Sequence, residues 1–308
     1  MRKILLPVDG SLSSQFAAAH AAKRVRSGEH LELQLLNVQY RPHVHAGLGK
    51  IVSAAMINEY ATEQGNAALK LAAAVLDEAH VPYQTQIAFG DPGHVIAEHT
   101  ATDSYAEIVM GTRGTSVLAG LFIGSVATKV IQLVDVPVTL VPVPTLTFHQ
   151  TGRATPENAE VIQDPGARSL TLILVDGSEQ SHRAVEHVIA QAQRGIVSDL
   201  VLLNVQPPYP TTGTWNPISP EAIADAHQQE GIKKLASAQA RLMTAGLAAR
   251  SSVAVGETAE TVARVAKDVA CDRIVMGTRG MGAAGNLLFG STAQRVLHLV
   301  EVPVTMVK

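Results

Sequence analysis

Leu5–Ser11 reads LLPVDGS, and Ile173–Ser178 reads ILVDGS. Asp9 and Asp176 stand 167 residues apart, and the same offset carries Leu35–Gln39 (LLNVQ) onto Leu202–Gln206 (LLNVQ). Gly111–Gly114 (GTRG) returns as Gly277–Gly280, and Val136–Val141 (VPVTLV) as Val302–Val307 (VPVTMV). These last two lie 166 residues on, so one residue is lost between Gln206 and Gly277. Four blocks in one order at a nearly constant offset make the chain a tandem duplication of a unit of about 140 residues.

Length agrees with the repeat: 308 residues at roughly 100 to 200 per domain predict two domains. The copies set them at 1–142 and 169–308. Residues 143–168, rich in Pro, Thr, Gly and Asn and without apolar periodicity, read as the linker. The lone Cys271 supports neither a disulfide framework nor a cysteine zinc site, which predicts a reducing compartment, the cytoplasm. A net charge of -3 lacks the basic excess of a nucleic-acid binder. Residues 1–8 (MRKILLPV) are too short for the apolar region of a signal peptide. No apolar run approaches the ~20 residues of a membrane span, so a soluble chain without a membrane partner is expected. Hydrophobic residues reach 46% with aromatics at 4%, so the core is built from Val, Ile, Leu and Ala.

Within each copy, apolar runs alternate with helical periodicity. Lys3–Val8 is an apolar run ending at Asp9-Gly10, followed by Ser11 as N-cap and an Ala-rich helix to Arg26. Leu31–Val38 reads as a strand, Ser53–His80 as a long helix, and Tyr83–Phe89 as a third strand. Asp91-Pro92 places an N-cap before a proline at the first helical position, opening a helix to Thr102. A fourth strand centres on Ile108–Met110, a helix on Ser125–Val134 and a fifth strand on Val136–Val141. The second copy repeats the order. Strands alternating with helices imply right-handed crossovers and, in each copy, a doubly wound α/β domain with a five-stranded parallel sheet. Its ligand site is expected outside the carboxyl ends of the strands.

The loops after strands one and four meet at the switch in strand order. After strand four come Gly111, Thr112, Arg113 and Gly114, nine residues, then Gly124-Ser125 opening a helix. The second copy has Gly277, Thr278, Arg279 and Gly280, nine residues, then Gly290-Ser291. Glycines permit close backbone approach to a wrapped anion, and a helix N-terminus presents free N–H groups with partial positive charge. The same glycines also serve simple turn chemistry, a reading weakened by the identical spacing in both copies.

The pattern G-x2-G-x9-G-S, after a V-D-G-S turn and before a V-P-V strand, resembles the universal stress protein family, specifically its ATP-binding branch. The resemblance covers nearly the whole chain, as two consecutive family domains. It implies flavodoxin-like domains of the adenine nucleotide alpha hydrolase-like kind, with adenine near strands one and two and phosphates on the Gly loop. Carried over by position, the first site would use Pro7, Val8, Asp9, Val38, Met110, Gly111, Arg113, Gly114, Gly124, Ser125 and Val126. The second would use Val175, Asp176, Val205, Met276, Gly277, Arg279, Gly280, Gly290, Ser291 and Thr292. Leu174 stands where the first copy has Pro7, and Thr292 where it has Val126. The implied cofactor is ATP, with or without magnesium.

Asp9 and Asp176 can accept hydrogen bonds from an adenine amino group or ribose hydroxyls, assist a metal ion, or cap the turn into the next helix. Ser125 and Ser291 can donate to a phosphate, N-cap their helices, or both. Arg113 and Arg279 can pair with phosphate or be solvated. With few aromatic residues, the adenine is expected against Val, Met and backbone groups rather than an aromatic stack. Neither a G-x-x-x-x-G-K-[ST] motif nor a G-x-G-x-x-G after the first strand is present, and neither Gly loop holds a carboxylate or histidine to activate water. The site is read as one that holds a nucleotide rather than turning it over.

Other features read more plainly. His43 and His45 could offer a metal two imidazoles, but no further ligands accompany them and a solvated loop is the simpler reading. Cys271 reads as a small buried hydrophobe. The insertion 207–217 holds the only tryptophan, Trp215, which could cover the second site, contact a partner or pack on its own domain. The apolar fifth strands, Val136–Val141 and Val302–Val307, would aggregate if left as open edges. Antiparallel pairing of the two would make an internal dimer about a pseudo-two-fold axis. The function expected is a non-enzymatic, ATP-binding stress or signalling protein read by a protein partner. The alternatives are an ATP-dependent transferase on a related α/β fold and an interaction scaffold with empty relic sites.

Overall fold

The computed structural model describes residues 1–40, 54–112, 123–144, 169–209, 219–278 and 290–308. The expected linker lies almost wholly outside them, as do Arg113, Gly114, Arg279, Gly280, His43, His45 and Trp215. The chain divides into two compact units, Met1–Ile162 and Gln163–Lys308.

The first unit runs β1 (Arg2–Pro7), α1 (Leu12–Arg26), β2 (Leu31–Gln39), α2 (Ala54–Glu78), β3 (Tyr83–Phe89), α3 (Pro92–Thr102), β4 (Glu107–Gly111), α4 (Ser125–Leu133) and β5 (Val138–Val141). Its strands lie in the order β3-β2-β1-β4-β5, and every pairing between them is parallel. The second unit repeats this with β6 (Leu170–Leu174), α5 (Glu179–Ala192), β7 (Asp199–Gln206), α6 (Pro220–Thr244), β8 (Ala249–Val255), α7 (Thr258–Asp268), β9 (Arg273–Gly277), α8 (Ser291–Leu299) and β10 (Val304–Val307). Its order is β8-β7-β6-β9-β10, again parallel throughout. Each sheet has the five parallel strands and doubly wound order expected from the alternating pattern.

Residues of period two divide the faces of the first sheet. Ile4, Leu6 and Val8 of one face pack with Leu33 and Leu35 under α1 and α2, through Phe16, Ala17, Ala21, Leu69, Ala72 and Leu76. Leu5, Ile108 and Leu140, at the alternate positions, are also fully buried, and α3 packs against α4. Because the central strands are covered on both faces, they read as continuous apolar runs. The second unit builds its core the same way, with Ile173, Val175, Leu202, Leu235, Ala238 and Leu242.

One of the boundaries that differ from the sequence reading has a clear physical cause. The fifth strands begin at Val138 and Val304, two residues later than expected. Pro137 and Pro303 supply carbonyls that accept from Ile108 N and Ile274 N, both at 2.9 Å, but as prolines they have no N–H to donate. The ladder therefore starts after them.

At the amino ends of the first sheet lies a buried ion network. The Arg24 guanidinium donates to both Glu107 oxygens at 3.1 and 3.0 Å and to both Glu29 oxygens at 3.0 and 2.9 Å. Arg2 joins both carboxylates, and Thr139 Oγ1 donates to Glu107 at 2.5 Å. Burial alone would lower the Arg24 pKa, but the Glu107 and Glu29 charges outweigh it and raise it. In the second copy Arg273 stands at the Glu107 position and donates instead to Thr171 Oγ1 at 2.7 Å.

Among the described residues no helix is long and apolar enough to cross a membrane.

Candidate functional site

In each unit the central strand is flanked by the second and fourth, so the loops leaving their carboxyl ends converge. Asp9 ends β1. Its Oδ1 accepts from Ser11 N at 3.0 Å, while Gly10 takes φ +80°, a region open to glycine. Ser11 then caps α1 by accepting from Ser14 N at 3.2 Å. The second copy reproduces the turn: Asp176 Oδ1 accepts from Ser178 N at 2.9 Å, Gly177 has φ +86°, and Ser178 caps α5. The turn-capping role of both aspartates is thus present in the structure.

The adjacent strand end is fixed by side chains that sequence reading did not single out. Asn37 Nδ2 donates to the Val8 carbonyl at 2.8 Å, and Gln39 Nε2 donates to Asn37 Oδ1 at 2.7 Å. In the second copy Asn204 Nδ2 donates to the Val175 carbonyl at 2.6 Å, and Gln206 Nε2 donates to Asn204 Oδ1 at 2.5 Å. The signal was the identical LLNVQ block, noted as repeat but not as chemistry.

The Gly loops are stapled at their described ends. Thr112 N donates to Val141 O, and Gly124 N donates to Thr112 O at 2.8 Å. In the second copy Thr278 N donates to Val307 O and Gly290 N to Thr278 O at 3.0 Å. Gly111 has a packing reason of its own: a Cβ there would stand 2.4 Å from Ser13 Oγ and 2.7 Å from the Ser13 carbonyl carbon.

Helices α4 and α8 begin on Gly124 and Gly290, and neither has a side-chain cap. This corrects one sequence reading: Ser125 and Ser291 are the first helical residues, not the caps. The cap position goes to glycine, which leaves the first-turn N–H groups without a capping side chain and exposes the positive end of the helix dipole. Thr278 Oγ1 adds to this in the second unit, being 2% exposed with no hydrogen-bond partner among the described residues.

These elements enclose a cavity of about 610 Å³ in the first unit, within the usual range for small-molecule sites. Pro7, Val8, Asp9, Val38, Met110, Gly111, Gly124, Ser125 and Val126, the nine described residues expected for the first site, all line it. Arg113 and Gly114 lie outside the described residues. Tyr40, Gln64 and Ala68 also line it, and sequence reading missed them. Tyr40 brings an aromatic ring to a lining expected from composition to consist of Val, Met and backbone groups, since the low aromatic content is an average over the chain and this ring stands at the end of β2. In the second unit, Val175, Asp176, Val205, Met276, Gly277, Gly290, Ser291 and Thr292 occupy the same positions on the repeated elements. Arg279 and Gly280 lie outside the described residues.

Two helices that frame the cavity are tied together. Asp91 caps α3 by accepting from His94 N, and Lys129 of α4 donates to its Oδ1 at 2.9 Å. The Lys129 ammonium, then the His94 N–H, hold the Asp91 carboxyl below the usual carboxylate range. In the second unit Arg295 of α8 pairs with Glu260 of α7 instead. The long helix α2 lies close to the sheet because Gly65 admits it: a Cβ would stand 2.9 Å from Ile87 Cδ1. Gly231 does the same in α6, against Val253 at 2.4 Å.

Among the described lining residues Asp9 is the one carboxylate, and none is a histidine, lysine or arginine. No group of three His, Cys, Asp or Glu among the described residues is placed to hold a metal ion.

The sequence model of the Universal stress protein family matches residues 1–142 and again 171–308. A universal stress protein of Mycolicibacterium smegmatis is 27% identical over 310 residues, covering 99% of this chain and 96% of its own. One from Methanocaldococcus jannaschii is 34% identical over 143 residues, 46% of this chain and 83% of its own. Among solved structures, a universal stress protein from Archaeoglobus fulgidus has the same fold, with a TM-score of 0.65 at 21% identity over 99% of this chain and 96% of that one.

Proposed function

The chain belongs to the universal stress protein family, and from that premise we propose that it holds an adenine nucleotide, ATP, in each unit and does not turn it over at enzymatic rates. The observation that carries this is the bare glycine start of α4, which opens into the cavity beside the Gly loop. Uncapped N–H groups at a helix start suit a phosphate. The ring would lie toward the ends of β1 and β2, where Val8, Val38 and Met110 offer apolar surface and Asp9 an acceptor. The orphaned Thr278 hydroxyl in the second unit fits a ligand that accepts its hydrogen bond. Asp9 and Asp176 are the carboxylates at hand for a magnesium ion carried with the phosphates, where the ion would neutralise phosphate charge.

The holding role is supported by the lining of the first cavity. Its one described carboxylate, Asp9, already accepts the Ser11 N–H, and no other described lining side chain stands as a general base for water. Nucleotide occupancy is then the signal: it favours one conformation of the unit, which a protein partner reads during stress in the cytoplasm. The test is native mass spectrometry of the purified chain with ATP, alongside phosphate release. Bound, intact ATP supports the reading. Sustained turnover of order 1 per second or faster favours the transferase-like alternative, and an empty chain favours a scaffold.

A further inference from the structure

The two copies differ on one wall of the site, and the difference is chemical. In the first unit that wall is Tyr40 at the end of β2 together with Gln64 and Ala68 of α2. The register of the long helices is fixed by Gly65 and Gly231, which pack on Ile87 and Val253 in turn. The same register puts Leu69, Ala72 and Leu76 over Leu235, Ala238 and Leu242, all buried. By it, Glu230 stands at the Gln64 position and Lys234 at the Ala68 position, and Pro207 follows Gln206 where Tyr40 follows Gln39.

Tyr40 is 63% exposed while lining the cavity, and has no ring, ion-pair or hydrogen-bond partner among the described residues. In the second unit Tyr209, two residues past the Tyr40 position, is otherwise engaged. Tyr209 stacks on His227 with ring centroids 4.3 Å apart, and His227 Nε2 donates to the Pro207 carbonyl at 3.1 Å. His227 occupies the place of Ala61, so the first unit has no ring there to draw Tyr40 away. Among the described residues, one copy therefore lines its cavity with a tyrosine that has no ring partner, and the other stacks its tyrosine on its own helix.

We propose that the two sites are unequal, and that Tyr40 makes the first the tighter one for ligands carrying a flat heteroaromatic base, by stacking on the ring. The proposal rests on the nucleotide reading above. A stacked aromatic contributes to base binding through contact and dispersion with little dependence on base identity. Tyr40 thus selects for the presence of a base rather than for one base. The second site has Pro207, Glu230 and Lys234 at the corresponding positions, so among the described residues it offers charge there and no such ring.

The experiment is calorimetric titration of the full chain with two probes, ATP and inorganic tripolyphosphate. Native protein should bind ATP in two classes. Tyr40→Ala should weaken the tighter class by about tenfold, leave the other class and tripolyphosphate binding unchanged, and keep the native melting temperature, because the side chain is largely exposed. Tyr40→Phe, which keeps the ring, should bind ATP like native protein. Equal ATP affinities at both sites, an unchanged Tyr40→Ala, or a Tyr40→Phe as weak as Tyr40→Ala would overturn the proposal and leave the nucleotide reading standing. Failure of native protein to bind ATP at all would overturn both.

Discussion

Asn37 Nδ2 donates to the Val8 carbonyl at 2.8 Å, and its counterpart Asn204 donates to Val175 at 2.6 Å. The bond joins the carboxyl ends of the adjacent strands β1 and β2, next to the β1/β4 switch in strand order, and Val8 and Asn37 both line the cavity. Asn37 is 2% exposed, so the carbonyl it serves has little water to turn to. Asn37→Ala should cost roughly 1–3 kcal/mol in chemical denaturation. It should also weaken ATP binding at the first site, because Val8 and Gln39 lose the partner that positions them. Unchanged stability would show that the bond is replaced by water.

The Arg24–Glu107 network lies at the opposite ends of the same strands, and its variants should separate stability from binding. Glu107→Ala leaves Arg24 and Arg2 buried with one carboxylate between them. It should destabilise the first unit by about 3–5 kcal/mol, read by denaturation. The double variant Arg24→Met/Glu107→Leu removes both charges and leaves Arg2 paired with Glu29, and should recover most of that loss. ATP affinity of the folded protein should be the same in all three.

Cys271 is 5% exposed, and burial, then the neighbouring Asp272 charge, pushes its thiol up to about 12. The thiolate is the reactive form, so native protein should resist iodoacetamide at pH 8 and react fully once unfolded. The linkage has a sign. A folded pKa above the unfolded one means the native state holds its proton longer. The thiol's share of stability is then whole below about pH 9 and is lost as pH rises toward about 12. Comparing denaturation of native protein and Cys271→Ala across that range isolates the thiol from other groups titrating there.

Much of this fold is legible because its signals are local and occur twice. The VDGS turn, the Asp91-Pro92 helix start and the third strand at Tyr83–Phe89 fall where backbone preferences place them. What escaped the sequence depends on neighbours distant in the chain. Asn37 matters because Val8 lies beside it across a parallel ladder. Gly111 is required by Ser13 of a helix almost 100 residues earlier, so this part of the G-x2-G-x9-G-S pattern serves packing as well as any ligand. Of the roles open to Ser125, capping α4 falls away because Gly124 takes the cap position, although serine is the commoner cap. Tyr40 was hidden by an average, since a low aromatic count says nothing about where one ring stands.

If the chain holds ATP without consuming it, the bound nucleotide should outlast a long incubation intact. Native mass spectrometry of the intact protein, followed over an hour with added ATP, tests it most directly. The account predicts that the chain carries the mass of unhydrolysed ATP throughout, up to two equivalents. A chain that stays bare at millimolar ATP, or one that converts the added ATP to ADP within minutes, would contradict it.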